Sequence, residues 1–139
     1  PRSTLDRSSA ASDVYKRQNS PHGGIVQLPG GEAFTSVSAG VLINFASGQR
    51  FYHAGDTGLT MDMQLLKGKV DVAMLPIGDR FTMGPEDAVR AVEFIEPEVV
   101  IPMHYDTWPL IVQDVGAFKA AVGDRARVEV MMPGDVWEF

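Results

Sequence analysis

The apolar positions of this chain change character near residue 37. Beyond it they come in short, β-branched runs separated by glycine and proline, whereas the first twenty residues hold only Leu5, Ala10, Ala11, Val14 and Tyr15, at no helical or strand period. Residues 37–45 (VSAGVLINF) lead into Ser47-Gly48 and then residues 50–53. Two such runs around a turn signal predict an antiparallel hairpin. Residues 61–66 predict a short helical stretch before Gly68, and residues 70–77 (VDVAMLPI) a buried strand closed by Pro76 and Gly78. The clearest helix covers 85–95 (PEDAVRAVEFI): Pro85 suits the first helical position, Glu86 and Asp87 oppose the N-terminal dipole, and Ala88, Ala91, Val92 and Ile95 share a face. Pro97 stops it and residues 99–102 (VVIP) read as a second buried strand, which completes a βαβ unit. A further helix is predicted over 112–122, closed by Gly123, and short strands over 127–131 and 136–139 around a Pro133-Gly134-Asp135 turn. The fold class is α/β, a mixed sheet with helices on one face.

Residues 1–20 lack the apolar surface needed to offset the entropy of ordering, and read as a disordered head or a weak local helix. Their SSAASDVYKRQ stretch resembles translated sequencing-adapter DNA, which would make the head non-native and start natural sequence near Asn19; the alternative is a natural flexible tail. Residues 21–36, punctuated by two prolines and four glycines, read as loop.

Charge and composition narrow the function classes. The 139 residues carry a net charge of −6, and the head is basic, so residues 21–139 are more acidic still. That argues against a nucleic-acid backbone or an anionic membrane surface as the main partner. No cysteine is present, which removes disulfides, cysteine-ligated metals and a thiol nucleophile. No apolar run reaches the ~18 to 20 residues of a membrane span and no export signal opens the chain, so the expected location is cytoplasmic.

The candidate chemistry sits at two strand ends. In FYHAGDTGL (51–59), Gly55 lets the backbone turn sharply and presents Asp56 at a strand tip, where α/β sites gather. Thr57 would hold that carboxylate, or the two would be no more than a helix-capping pair. In VVIPMHYDTWP (99–109), His104 falls just past a buried strand. A carboxylate and an imidazole at strand ends of one small sheet are metal-binding types, and zinc takes both. LPIGDRFTMGPEDA (75–88) reads as a strand-tip loop with Asp79 near the site and Phe81 and Met83 along a cleft, or as a helix entry with Thr82 or Gly84 as cap and Met83 packed beneath.

These motifs, HAGDTGL, LPIGDRFTMGPEDAV and IPMHYDTWP in that order, resemble the C-terminal half of the metallo-β-lactamase superfamily. The resemblance covers residues 36–139 and is nearest to its uncharacterised metal-dependent hydrolase branch, similar to L-ascorbate-6-phosphate lactonase. It implies half of an αββα sandwich, with residues 21–139 as the C-terminal part of a hydrolase domain. It also implies a divalent-metal cofactor, Zn(II) with Mn(II) as the other choice, and a small-molecule ester, lactone or phosphodiester substrate attacked by hydroxide at a binuclear centre. Asp56 would bridge the ions and His104 would ligate the second. The superfamily's HxHxDH motif is absent, since the three histidines are far apart in sequence. His22 is a candidate further ligand, whereas His53, Thr57, Asp79 and Tyr105 would touch a ligand's outer atoms or the substrate. Without the HxHxDH half the chain would be inactive and would self-associate through uncovered sheet surface at Val41, Ile43 and the VDVAML strand. The competing reading is a non-catalytic α/β interaction module; the two part on whether Asp56 and His104 converge.

Overall fold

The computed structural model describes residues 39–138 in full and, of the preceding residues, the backbone of three strands. The strands are β1 (Asp13–Asn19), β2 (Ile25–Gln27), β3 (Ala33–Thr35), β4 (Ala39–Asn44), β5 (Arg50–His53), β6 (Val72–Pro76), β7 (Val99–Met103) and β8 (Arg127–Val128). Two helices, α1 (Pro85–Ile95) and α2 (Val115–Val122), and short 3-10 turns at Met61–Leu66, Pro109–Ile111 and Gly123–Arg125 complete the order. β2 and β3 pair with each other, and the other six strands form one sheet in the order β1-β4-β5-β6-β7-β8. The β1/β4 and β4/β5 pairs are antiparallel, and the pairs from β5 to β8 are parallel.

The strand period of two sorts the side chains onto two faces. Leu42, Tyr52, Ala73, Leu75, Val100 and Val128 point to the face covered by the helices, where they pack with α1, α2 and the Met61–Leu66 turn. Every buried position of α1 (Ala88, Ala91, Val92, Ile95) belongs to this core, so the predicted helix and its apolar stripe both stand. On the other face Val72, Val99 and Ile101 are buried with Phe51, Met74, Met131 and Trp137 against them, while Val41 and Ile43 are half-buried. The mixed sheet with helices on one face is as expected.

Four local expectations are corrected. Asp13–Asn19 is a strand rather than an unstructured or helical head: it pairs with β4 from Asp13↔Asn44 to Asn19↔Ala39, with one irregularity between Val14 and Lys16. A sheet edge offers unpaired N–H and C=O groups, and a ladder there needs little help from side chains. Ile25–Gln27 and Ala33–Thr35 form a small hairpin inside the stretch read as loop. α2 begins at Val115, because Asp114 caps it by accepting a hydrogen bond from Ala117 N–H at 2.9 Å. Residues 136–138 form no strand, and Val136 is 89% exposed. Residues 1–12, His22 and Phe139 lie outside the described residues.

The N-terminal ends of the parallel strands are tied together at Asp71. Its carboxylate accepts hydrogen bonds from Arg50 N–H (2.7 Å) and from the Arg50 guanidinium, which also donates to Gly68 C=O. The Asp71 carbonyl accepts from Glu98 and Val99 N–H, and Arg127 N–H donates to Glu98 C=O. The guanidinium holds the Asp71 carboxyl below its ordinary range, and Asp71 in turn raises the Arg50 pKa.

Candidate metal site at the strand ends

The opposite end of the parallel sheet carries the candidate residues. β5 runs into Ala54 and then Gly55, whose φ of +70° is a left-handed conformation in which any side chain is strained. A Cβ there would also lie 2.8 Å from the Ala39 carbonyl oxygen, so the turn is pressed against the start of β4. This turn delivers Asp56, with 68% of its side chain exposed. β7 ends at Met103 and the chain turns through His104 (φ +55°) and Asp106 (φ +56°), two further left-handed residues.

The two side chains converge over the tip of β6, the strand between β5 and β7. His104 Nε2 lies 3.7 Å from Asp56 Oδ1. Beneath them Gly78 makes room: a Cβ at that position would stand 2.3 Å from the His104 carbonyl oxygen and 3.3 Å from its Nδ1. His104 Nδ1 is buried without a hydrogen-bond partner among the described residues. The imidazole thus turns Nε2 toward the carboxylate and Nδ1 into the protein.

Several bonds fix the loops around this pair. Met83 N–H donates to Thr57 C=O at 2.7 Å, joining the loop after β6 to the segment that carries Asp56. Within that loop Asp79 N–H donates to Met83 C=O and Thr82 N–H to Asp79 C=O. The loop after β7 is closed by Asp106 N–H to Ile111 C=O (3.0 Å) and by Gln113 N–H to the Asp106 carboxylate (2.9 Å), and Gln113 Nε2 reaches Gly78 C=O at 3.2 Å. The sequence marks Gly78 only as the end of a strand and gives no role to Asp106 or Gln113. The punctuating glycine after a buried strand was the one available signal, since the other contacts join segments far apart in the chain.

The remaining candidates take distinct places. Thr57 is buried and its hydroxyl donates to Gly58 C=O. The next helical turn takes Thr60 as its cap, with no side-chain bond, so Asp56 and Thr57 do not cap it. His53 is exposed, and its Nδ1 accepts from Gly55 N–H at 3.1 Å. Asp79 is exposed in a left-handed conformation with its carboxylate against Gly84, the N-cap of α1. Tyr105 packs on the main core, and burial, with a smaller contribution from the Asp106 charge, raises its phenol pKa. A mostly apolar cleft of about 660 Å³ runs beside His104 and Tyr105, lined also by Ile101, Met103, Val130 and Met131.

Asp56 and His104 offer donors suited to one divalent ion. Two ligand atoms each about 2.0–2.2 Å from an ion stand roughly 3 to 3.7 Å apart, which the observed separation meets at its upper limit. Among the described residues no group of three His, Cys, Asp or Glu side chains stands close enough to hold an ion. The pair therefore fits part of a coordination shell.

A family profile described as a beta-lactamase superfamily domain matches residues 29–104. The chain belongs to that superfamily. It is 54% identical over 96 residues to a UPF0173 metal-dependent hydrolase of Pelotomaculum thermopropionicum, a match over 66% of this chain and 42% of that protein. It is 48% identical over 126 residues to another of Thermococcus kodakarensis, over 83% of this chain and 55% of that protein. The chain thus spans about half the length of the curated relatives it matches. Among solved structures it resembles Igni18, a metallo hydrolase from Ignicoccus hospitalis, at 36% identity and a TM-score of 0.73, covering 99% of this chain and 57% of that one. A protein of the metallo-beta-lactamase superfamily from Thermotoga maritima shares the fold at 22% identity and a TM-score of 0.64, over 84% and 63% of the two chains. Among the described residues no helix is long and apolar enough to cross a membrane.

Proposed function

We propose that this chain supplies the Asp56–His104 part of the metal centre of a hydrolase that cleaves an ester, lactone or phosphodiester in a small molecule. The observation that carries the proposal is the 3.7 Å approach of His104 Nε2 to Asp56 Oδ1 above Gly78, at the carboxyl ends of two parallel strands. The metal-dependent hydrolases it resembles give the reaction class. Zn(II) is the favoured ion and Mn(II) the second choice, because an imidazole nitrogen and a carboxylate oxygen suit both. When bound, the ion would supply a nucleophilic hydroxide near neutral pH and stabilise developing negative charge.

This chain's own residues do the holding. Gly55 fixes the direction of Asp56, while Gly78, Asp106 and Gln113 set the height and rotation of the His104 loop. The exposed Asp56 carboxylate is open to ions and substrate, and a mostly apolar cleft opens beside His104. His22 stays a candidate further ligand. With two donors among the described residues, the chain alone binds zinc weakly and turns nothing over, since an incomplete ligand set lowers affinity and opens the geometry.

Calorimetric titration with zinc tests this. The expected result is binding weaker than micromolar that is lost in both Asp56→Ala and His104→Ala, with unchanged folding. Binding that persists in either variant, or submicromolar binding lost with Asp56→Ala, would reject the proposed partial centre.

A further inference from the structure

Phe81 and Trp108 stack on each other from the loops that follow β6 and β7, at the end of the sheet that carries Asp56 and His104. Their ring centroids are 5.4 Å apart with 17° between planes, although the rings come from separate loops. Both remain open to water, Phe81 at 45% and Trp108 at 42%, and Leu110, at 47%, lies two residues further along. None of the three belongs to a core cluster. The stack leaves a large apolar surface exposed to water.

Its position connects it to the candidate chemistry. Phe81 lies inside the Asp79–Met83 turn, which Met83 N–H ties to Thr57, the residue after Asp56. Trp108 lies four residues past His104, which bounds it to within about 14 Å along the chain. Trp108 C=O accepts from Ile111 N–H, so the loop carrying it is closed on itself. The platform is built from the loop that carries His104 and from the loop bonded to the segment that carries Asp56, and it is held before any ligand arrives.

We infer that Phe81 and Trp108 form a subsite for the apolar part of the substrate, an aryl or alkyl group whose hydrolysable end lies at Asp56 and His104. This rests on the hydrolase reading for its second clause. A substrate small and polar throughout would leave the stack unused, so the class expected is an ester, lactone or phosphodiester with an apolar arm.

Binding of 4-phenylbutanamide, 4-phenylbutyrate and acetate to the full chain tests the inference, read by calorimetry and by Trp108 fluorescence in a Trp137→Phe background. The neutral amide should bind without metal, and Phe81→Ala or Trp108→Leu should weaken it about five- to tenfold. Acetate should give no response without metal. Added zinc should tighten 4-phenylbutyrate and leave the amide unchanged. Amide binding equal in parent, Phe81→Ala and Trp108→Leu, with melting curves matching the parent, overturns the subsite whatever zinc does. Amide binding that is lost in the variants while zinc fails to tighten the carboxylate keeps the subsite and rejects the metal reading. Phe81→Leu, which keeps apolar bulk but not the stack, replaces Phe81→Ala if the latter melts early; undiminished amide affinity in it and in Trp108→Leu counts against the subsite.

Discussion

The two ends of the parallel sheet are built on opposite terms. At the N-terminal end the Asp71 carboxylate and carbonyl each take several donors, and Arg50, Glu98 and Arg127 join four strand starts through Asp71 and Glu98. At the C-terminal end stand left-handed His104, Asp79 and Asp106, a buried Nδ1 without a partner among the described residues, an exposed carboxylate and a wetted aromatic pair. The first arrangement satisfies its groups and so stabilises the sheet. The second gathers features that cost stability, which α/β folds tolerate where ligands bind.

Substitutions at each end should separate these roles. Gly78→Ala should have the largest effect, because its Cβ would meet a backbone oxygen at 2.3 Å. Overpacking of this kind costs about 1–3 kcal/mol or more, and urea unfolding should show it together with loss of zinc binding. Asp71→Ala should cost about 0.5–1.5 kcal/mol by removing the hydrogen bonds its carboxylate accepts from Arg50, yet leave any zinc affinity unchanged. An Asp71→Ala chain that lost zinc binding would contradict the assignment of that end.

The same pair gives a pH test. Asp71 has its folded pKa lowered, so its stabilisation is present above the ordinary carboxyl value of about 3.9 and is lost as pH falls through the lower folded value. Asp71→Asn should flatten that acid limb in a series of melts. Asp56→Ala, at an exposed position, should stay within about 0.5 kcal/mol of the parent in stability while losing zinc. The effect confined to alkaline pH concerns Tyr52, whose phenol is pushed up to about 12 from 10.0 by burial. The fold prefers the neutral phenol, so its contribution is intact below about pH 10 and fades toward 12. Tyr52→Phe should reduce the alkaline loss of stability across that window, which melts at pH 9 and 11.5 would reveal.

Much of this contrast was legible in the residues. Pro85, Glu86, Asp87 and the Ala88/Val92/Ile95 stripe located α1 to the residue, since capping chemistry and periodicity are local. Gly55-Asp56 and His104 were recognisable as strand-end groups for the same reason. Asp114 also carried a local signal, its capping carboxylate, and reading α2 from residue 112 overlooked it. What stayed hidden was non-local. The polar sequence of β1 gives no strand period, and its pairing depends on the free edge of β4. Val136 reads as a strand residue but stands exposed and outside the strands. The Phe81–Trp108 stack, the Gly78 floor and the Gln113 bridge exist only once distant loops meet.

Asp56 and His104 are carried by strands that never touch, because β6 lies between β5 and β7. Their approach therefore requires both parallel pairings, Phe51↔Val72 through His53↔Met74 and Val72↔Val99 through Pro76↔Met103, to be complete. In kinetic terms these are non-local contacts that close late, after the local α1 and the β4/β5 hairpin can form. The pair is thus a gauge of assembly: whatever binds there reports that β6 has docked on both of its neighbours.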